Sequence, residues 1–137
     1  MKIDLFRKHY QDASFVRKFE ELIQSSEGVL LKGIVGSSIS FISDAIIQKI
    51  NGNHLFVLPD KEAAIYFYND LENILSKERG TTLLFYPASY RRPYQIEEID
   101  HTSVLQRSEV ISLVSKKRKK LIVVTYPEAI VEKVITK

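Results

Sequence analysis

Short apolar runs alternate with longer amphipathic stretches along most of this chain. Glycine, proline or asparagine bounds most of the runs, which is typical of strands. Between the runs, apolar residues recur three and four positions apart, which is typical of helices. The predicted strands are residues 29–35, 54–58, 81–86 and 121–125. This alternation favours an α/β fold in which a mostly parallel β-sheet is covered by helices on both faces.

Residues 2–26 predict an additional N-terminal helix that packs on the domain. Its expected buried stripe consists of Phe15, Phe19, Leu22 and Ile23. We therefore predict an N-terminal helical segment at residues 1–26 and an α/β domain at residues 27–137. Because the chain stops just after the fourth predicted strand, we expect it to be part of a larger protein.

Two further segments carry expectations about burial. The run 54–58 is apolar without interruption, which is typical of a strand buried on both faces. Another helix is predicted at about residues 101–115. Its expected buried side consists of Val104, Val110, Ile111 and Val114.

The stretch 30–41 has the pattern of a strand, a tight turn and a helix N-terminus. A phosphate-binding loop in that setting reads G-x-x-x-x-G-K-[ST], and Gly33 and Ser40 hold its first and last positions. Ser38 replaces the second glycine of the motif, and Ile39 replaces the lysine. This degenerate phosphate loop consists of Gly33, Gly36, Ser37, Ser38, Ile39 and Ser40.

Two interpretations of this loop remain open. Its backbone amides can form an anion-binding nest at the helix N-terminus, or it is an ordinary turn between a strand and a helix. ATP hydrolysis needs the lysine and a Mg²⁺ ion held by a hydroxyl and a strand-end aspartate. Ile39 has a branched side chain suited to packing, and the run 121–125 is followed by no acidic pair. We therefore predict no catalytic residue, no metal site and no cofactor in this chain.

Composition narrows the class of protein. At 137 residues, with 45% hydrophobic and 27% charged residues, the chain is expected to be one ordinary globular domain. No apolar run approaches the roughly 20 residues of a membrane span, and the N-terminus lacks the apolar region of a signal peptide. The absence of cysteine excludes disulfides and zinc-thiolate sites. We expect a cytoplasmic protein that contacts no membrane.

Positive charge is concentrated in the run 116–120, whose five positive residues exceed the net charge of +3. This run is either a solubilising loop or a contact for nucleic-acid phosphates. The aromatic and basic segment at 90–94 is either a base-stacking contact or a loop anchored by its proline and tyrosines. The candidate nucleic-acid contacts are Tyr90, Arg91, Arg92, Lys116, Lys117, Arg118, Lys119 and Lys120.

Several segments together resemble one family of bacterial DNA-repair proteins. Residues 33–40 resemble the start of the phosphate loop in the excinuclease B subunit of nucleotide excision repair. Residues 54–64, 85–94 and 121–129 resemble the next strand-helix motif, the tyrosine- and proline-rich segment and the fourth strand of that family. The loop without lysine and the Tyr-Pro-Glu-Ala sequence at 126–129 point to the UvrB-like N-terminal domains of transcription-repair coupling factors.

This resemblance implies a fold and a role. The fold would be a degenerate P-loop NTPase-like domain, similar to helicase domain 1A. The parent protein would be a double-stranded-DNA translocase that uses ATP and Mg²⁺, displaces stalled RNA polymerase and recruits the excinuclease A subunit. That subunit would be bound mainly through a neighbouring subdomain beginning near Lys137, and RNA polymerase and DNA through the rest of the parent. Residues 93–100 are too few for the DNA-engaging hairpin of the excinuclease B subunit.

Two functions from different classes follow. The first is a non-catalytic interaction and regulatory scaffold, indicated by Ile39 at the lysine position and by the resemblance. The alternative is a nucleotide- or nucleic-acid-binding domain that uses the serine-rich loop, Arg91, Arg92 and the basic run 116–120.

Overall fold

A computed structural model describes residues 3–25, 28–76, 80–89, 101–117 and 120–134. Within those ranges the protein is an α/β protein with six helices and three strands. The helices are α1 (Ile3–Gln11), α2 (Ser14–Gln24), α3 (Ser38–Lys49), α4 (Lys61–Leu75), α5 (His101–Ser115) and α6 (Pro127–Val131). The strands are β1 (His54–Val57), β2 (Thr82–Phe85) and β3 (Leu121–Thr125).

Two compact units divide the chain. The first comprises residues 1–51 and 69–78, and the second comprises residues 52–68 and 79–137. The predicted boundary at residue 26 stays a prediction. Across the ranges that the structure describes, no helix combines the length and the apolar character that crossing a membrane requires.

In the first unit, the single helix predicted at residues 2–26 is wrong, because the chain breaks between α1 and α2. Ala13 has an extended backbone with ψ of 133°, and its N–H donates to the Tyr10 carbonyl at 3.2 Å. Ser14, a residue type that competes for backbone hydrogen bonds, begins the new helix. The face of α2 that turns inward carries Val16, which is 1% exposed. Contrary to expectation, the exposed residues of the stripe are Phe15, Leu22 and Ile23.

An ion pair and stacked rings attach α1 to α3. The Arg7 guanidinium donates to both carboxylate oxygens of Asp44, from Nε at 2.9 Å and from Nη2 at 2.8 Å. The Tyr10 ring stacks on Phe41 with 5.5 Å between the ring centroids. None of the nine residues of α1 is buried. The ion pair and the stacked rings therefore account for much of the attachment of α1 to α3. The carboxylate of the ion pair, Asp44, is fully buried.

The strand predicted at residues 29–35 is wrong. Residues 28–37 form no strand, and Leu30 and Val35 are 77% and 80% exposed. Gly33 has a φ of 78°, which is incompatible with extended backbone. A β-prone sequence forms a strand only where a neighbouring strand and a buried face support it, and this run has neither.

In the second unit, the three strands form an all-parallel sheet in the order β1-β3-β2. β3 is the central strand, and all five of its residues are buried. The register pairs His54 of β1 with Ile122, and Thr82 of β2 with Leu121. An α/β fold is thus confirmed, with a parallel sheet that is one strand smaller than predicted.

Helices α4 and α5 cover opposite faces of this sheet. Phe67 of α4 packs on Phe56 of β1, with 5.1 Å between the ring centroids. The buried cluster beneath α5 consists of Leu84, Val110, Leu121 and Val123. Phe56 is in register with Val124, so these two side chains point to the same face of the sheet. Val123, in the cluster beneath α5, is the neighbour of Val124 along β3 and therefore points to the other face. The two helices consequently lie on opposite faces.

The predicted burial of β1 on both faces is wrong. Leu55 and Val57 are 63% and 50% exposed. Leu55 is in register with Val123 and shares its face of the sheet, as does Val57 two residues further on. The cluster beneath α5, however, draws its strand residues from β2 and β3. An uninterrupted apolar run therefore predicts a strand, but it does not show whether helices cover both faces of that strand.

The Arg7–Asp44 pair generates a prediction about stability. Replacing Arg7 by alanine is expected to lower the free energy of unfolding by about 3–5 kcal/mol, because Asp44 would keep a buried charge without this cation. Urea unfolding followed by circular dichroism measures the change. The control is Lys49→Ala, since the Lys49–Glu20 pair spans 4.0 Å and is more exposed; it should cost less than about 1 kcal/mol. Equal losses in the two variants would contradict the role assigned to the buried pair.

Candidate functional site

The degenerate phosphate loop forms a closed turn in front of α3. The Ser38 hydroxyl donates to the Val35 carbonyl and accepts from the Val35 N–H at 3.2 Å. Gly36, inside this turn, has a φ of 57°, a conformation that favours glycine. Ser37 caps the helix with its carbonyl, which accepts the Ser40 N–H at 3.1 Å. The Ser38 hydroxyl is therefore engaged within its own turn.

Ser40 and Ile39 are placed differently from the corresponding residues of a working phosphate loop. The Ser40 side chain is buried, and its hydroxyl donates to Asp70 Oδ2 of α4 at 3.1 Å. In a working loop this hydroxyl binds Mg²⁺. Ile39, whose branched side chain is suited to packing, is 39% exposed. The structure brings the predicted loop residues into one turn and helix start, but it does not place them at the end of a strand.

Of the candidate nucleic-acid contacts, Lys116, Lys117 and Lys120 are exposed. They lie before the amino end of β3, where the Lys120 carbonyl accepts the Thr82 N–H at 3.1 Å. Tyr90, Arg91, Arg92, Arg118 and Lys119 lie outside the described residues. The segment that contains Tyr90 follows Ser89, beyond the carboxyl end of β2. The two predicted basic segments therefore start from opposite edges of the sheet.

A buried arginine organises the carboxyl edge of the sheet, by which we mean the side where all three parallel strands have their carboxyl ends. Arg107 of α5 is 6% exposed, and its Nη1 donates to the carbonyls of Pro87 at 2.8 Å and Ala129 at 3.0 Å. Its Nη2 donates to the Glu132 carbonyl at 3.3 Å. The guanidinium also lies over the Tyr86 ring, 4.3 Å from its centroid, an arrangement that favours a cation. One side chain thus joins the segments that follow β2 and β3.

The Glu132 side chain extends this network, which we call the Arg107 network. Its carboxylate lies 3.5 Å from Arg107 Nη1, accepts the Ser89 N–H at 2.7 Å and accepts the Ser89 hydroxyl. The Ala88 N–H donates to the Tyr126 hydroxyl oxygen at 2.9 Å. Among the residues described, every buried side-chain nitrogen and oxygen has a hydrogen-bond partner, so the network is internally complete.

The position of the Arg107 network matters for function. Open α/β sheets bind their ligands in the crevice at the carboxyl ends of the strands. In this protein the segments after β2 and β3, residues 86–89 and 126–132, are bonded to each other there through Arg107 and Glu132. Opening that edge for a ligand would therefore cost buried, charge-assisted hydrogen bonds.

Sequence reasoning missed Arg107 because it placed only apolar residues on the buried side of α5. Of the four residues predicted there, Val110 is buried and Ile111 is half-buried. The buried residues of α5 are Ser103, Arg107 and Val110, spaced four and three positions apart as one helix face requires. Val104 and Val114, expected inside, are 36% and 52% exposed. The spacing of residues 103, 107 and 110 indicated this buried face, but recognising it would have meant assigning an arginine to the core.

Titratable side chains form no cluster that suggests a metal site. In the described parts of the chain, no group of three or more His, Asp or Glu side chains is arranged to hold a metal ion. His9 and His101 are exposed and lie on different helices.

Comparison of this chain with protein-family models, with curated proteins and with solved structures finds no match. The resemblance to transcription-repair coupling factors therefore rests on the residues quoted above. Any assignment of function has to be argued from the geometry of the turn before α3, the Arg107 network and the exposed surfaces.

The Arg107 network generates a second prediction. Arg107→Met is expected to lower the free energy of unfolding by about 3–5 kcal/mol, because it leaves three backbone carbonyls and the Glu132 carboxylate without their cation. Arg107→Lys should recover little of this, since one ammonium cannot reproduce the fork of the guanidinium. Chemical denaturation measures both variants. The control is Glu109→Ala on the exposed side of α5, expected within about 0.5 kcal/mol of the parent. A loss for Arg107→Met as small as that of the control would contradict the network.

Proposed function

We propose that this chain is a non-catalytic interaction scaffold, the UvrB-like N-terminal domain of a bacterial transcription-repair coupling factor. In this proposal the parent protein is an ATP- and Mg²⁺-dependent DNA translocase that displaces stalled RNA polymerase in the cytoplasm. The chain itself supplies the framework from which a neighbouring subdomain is presented to the excinuclease A subunit.

The distribution of the resemblance over the fold supports this proposal. The segments that resemble the family, residues 54–64, 85–94 and 121–129, contain β1, the end of β2 and β3, with the start of α4 and part of α6. They belong to consecutive β-α units of one parallel sheet. A family likeness that follows the strands of a sheet and the turns at their carboxyl ends is stronger support than one short motif.

The observation that carries the proposal is the Arg107 network at the carboxyl edge of the sheet. A nucleotide-hydrolysing domain keeps that edge open for its substrate. Here a buried guanidinium and a carboxylate bond the two edge segments to each other. The same side chains that would line a crevice instead give a fixed surface, which suits a domain that positions others.

The turn before α3 supports a non-catalytic role, although it does not follow a strand as a working phosphate loop does. The hydroxyls of Ser38 and Ser40 are both engaged, one with Val35 and the other with Asp70. Ile39 brings no charge to the lysine position. In the proposed history, the loop lost its lysine and its hydroxyls acquired structural partners.

The nucleic-acid alternative has less support. Of its candidate contacts, Lys116, Lys117 and Lys120 lie among the described residues, and they are exposed at the amino edge of the sheet. In the part of the chain that the structure describes, no aromatic side chain forms a cation–π contact with these lysines, so this alternative rests on charge.

Retention of the purified excinuclease A subunit tests the proposed function. A longer version of the protein that continues into the neighbouring subdomain, immobilised on beads, should retain it, whereas residues 1–137 alone should retain much less. The variant Ile39→Lys of the longer protein is the matched control and should bind equally well, because the scaffold role does not use nucleotide at this loop. Failure of the longer protein to retain the subunit would overturn the proposal.

A further inference from the structure

The most open apolar surface of the sheet lies along β1. This strand pairs with β3 on one side, and in the described part of the chain no strand lies against its other side at residues 55–57. Leu55 and Val57 project from the same face and are 63% and 50% exposed. We call this surface, the outer edge of residues 55–57 together with the Leu55 and Val57 side chains, the β1 flank.

The β1 flank carries none of the side chains that usually protect an edge strand. Natural edges are kept short or carry lysine, proline or a bulge that hinders pairing with another strand. β1 is short, at four residues, but it reads His-Leu-Phe-Val and contains neither lysine nor proline. The other edge strand, β2, is apolar as well, yet none of its four residues is exposed. Among the described strands, β1 therefore offers the edge with exposed apolar side chains.

Positive charge flanks the amino end of the same strand. The Asn53 side chain accepts the Leu121 N–H at 3.0 Å, which ties the residue before β1 to the residue that follows Lys120. Lys116, Lys117 and Lys120 are exposed, and they form no ion pair with a residue that the structure describes. Lys120 therefore precedes the residue that Asn53 contacts, which places positive charge near the amino end of β1.

We propose that the β1 flank binds an extended segment of a partner protein, which adds a strand to the sheet. The segment has apolar side chains at alternate positions, which cover Leu55 and Val57, and acidic residues at the end that lies beside Lys120. Main-chain hydrogen bonds to the outer edge supply affinity in this binding mode, and the alternate side chains supply specificity. The acidic end matches the lysines and accelerates association. This inference rests on the proposed scaffold function and adds to it a second binding surface, separate from the one that the neighbouring subdomain provides.

A synthetic fluorescent peptide tests this inference. It carries three glutamates followed by alternating valine and threonine, and a second peptide carries the glutamates at the other end, so that the two directions of pairing are compared. Fluorescence anisotropy should reveal saturable binding of one of them that weakens as salt is added. Hydrogen exchange of the amides at residues 55–57 should slow in the complex. A peptide with prolines at the alternate positions should not bind.

Variants of the protein distinguish the contribution of the apolar side chains from that of the lysines. Leu55→Lys with Val57→Lys should weaken peptide binding about tenfold or more, since it replaces both apolar contacts at the centre of the site. Leu105→Lys is the matched control, because Leu105 is 70% exposed on α5, and it should bind as the parent does. Lys117→Asn with Lys120→Asn should remove most of the salt dependence; asparagine is chosen because both positions have positive φ. Lys133→Asn is the control for charge.

Three outcomes would overturn the inference. One is that neither peptide binds. The second is that binding persists in the Leu55→Lys, Val57→Lys variant and is lost only in the Lys117→Asn, Lys120→Asn variant. That result would show that charge alone drives the binding. The third is that a DNA duplex competes fully with the peptide, which would assign the lysines to nucleic acid. Retention of the excinuclease A subunit by the longer protein would be unaffected by any of these, so that failure here is distinguishable from failure of the proposed function.

Discussion

The burial of one guanidinium at the carboxyl edge is the constraint on which the sheet-containing unit depends. Arg107 cannot remain buried unless its N–H groups are satisfied, and the acceptors come from Pro87, Ala129 and Glu132. Parallel strands end at the same edge, so the segments after β2 and β3 are brought within reach of a single side chain. Satisfying Arg107 therefore fixes the path of the chain after both strands.

The surfaces of this unit differ in their chemistry. The carboxyl edge is polar, bonded within itself and closed around Arg107 and Glu132. The β1 flank is apolar and open, and exposed lysines lie at the amino edge. A fold whose usual ligand crevice is occupied by its own side chains has to present its functional surfaces elsewhere. This arrangement supports the scaffold function proposed above.

The sequence predicted the parts of the fold where local pattern and tertiary context agree. The strand 121–125 matches β3 because a fully buried central strand needs an uninterrupted apolar run. The run 29–35 has similar chemistry but no strand beside it, and its glycine at 33 takes a left-handed φ. Arg107 was missed because polar residues are normally assigned to the surface. Its burial becomes intelligible only once the carbonyls of two distant segments are seen to converge on it.

Calorimetric titration with ATP and Mg²⁺ is the decisive measurement, because both the turn before α3 and the carboxyl edge are places where a nucleotide would bind. We expect no binding tighter than millimolar, and no triphosphate at the Ser37–Ser38 turn in a crystal soaked in an ATP analogue. Micromolar affinity, with a triphosphate seated in that turn and a divalent ion beside Ser40, would contradict this expectation.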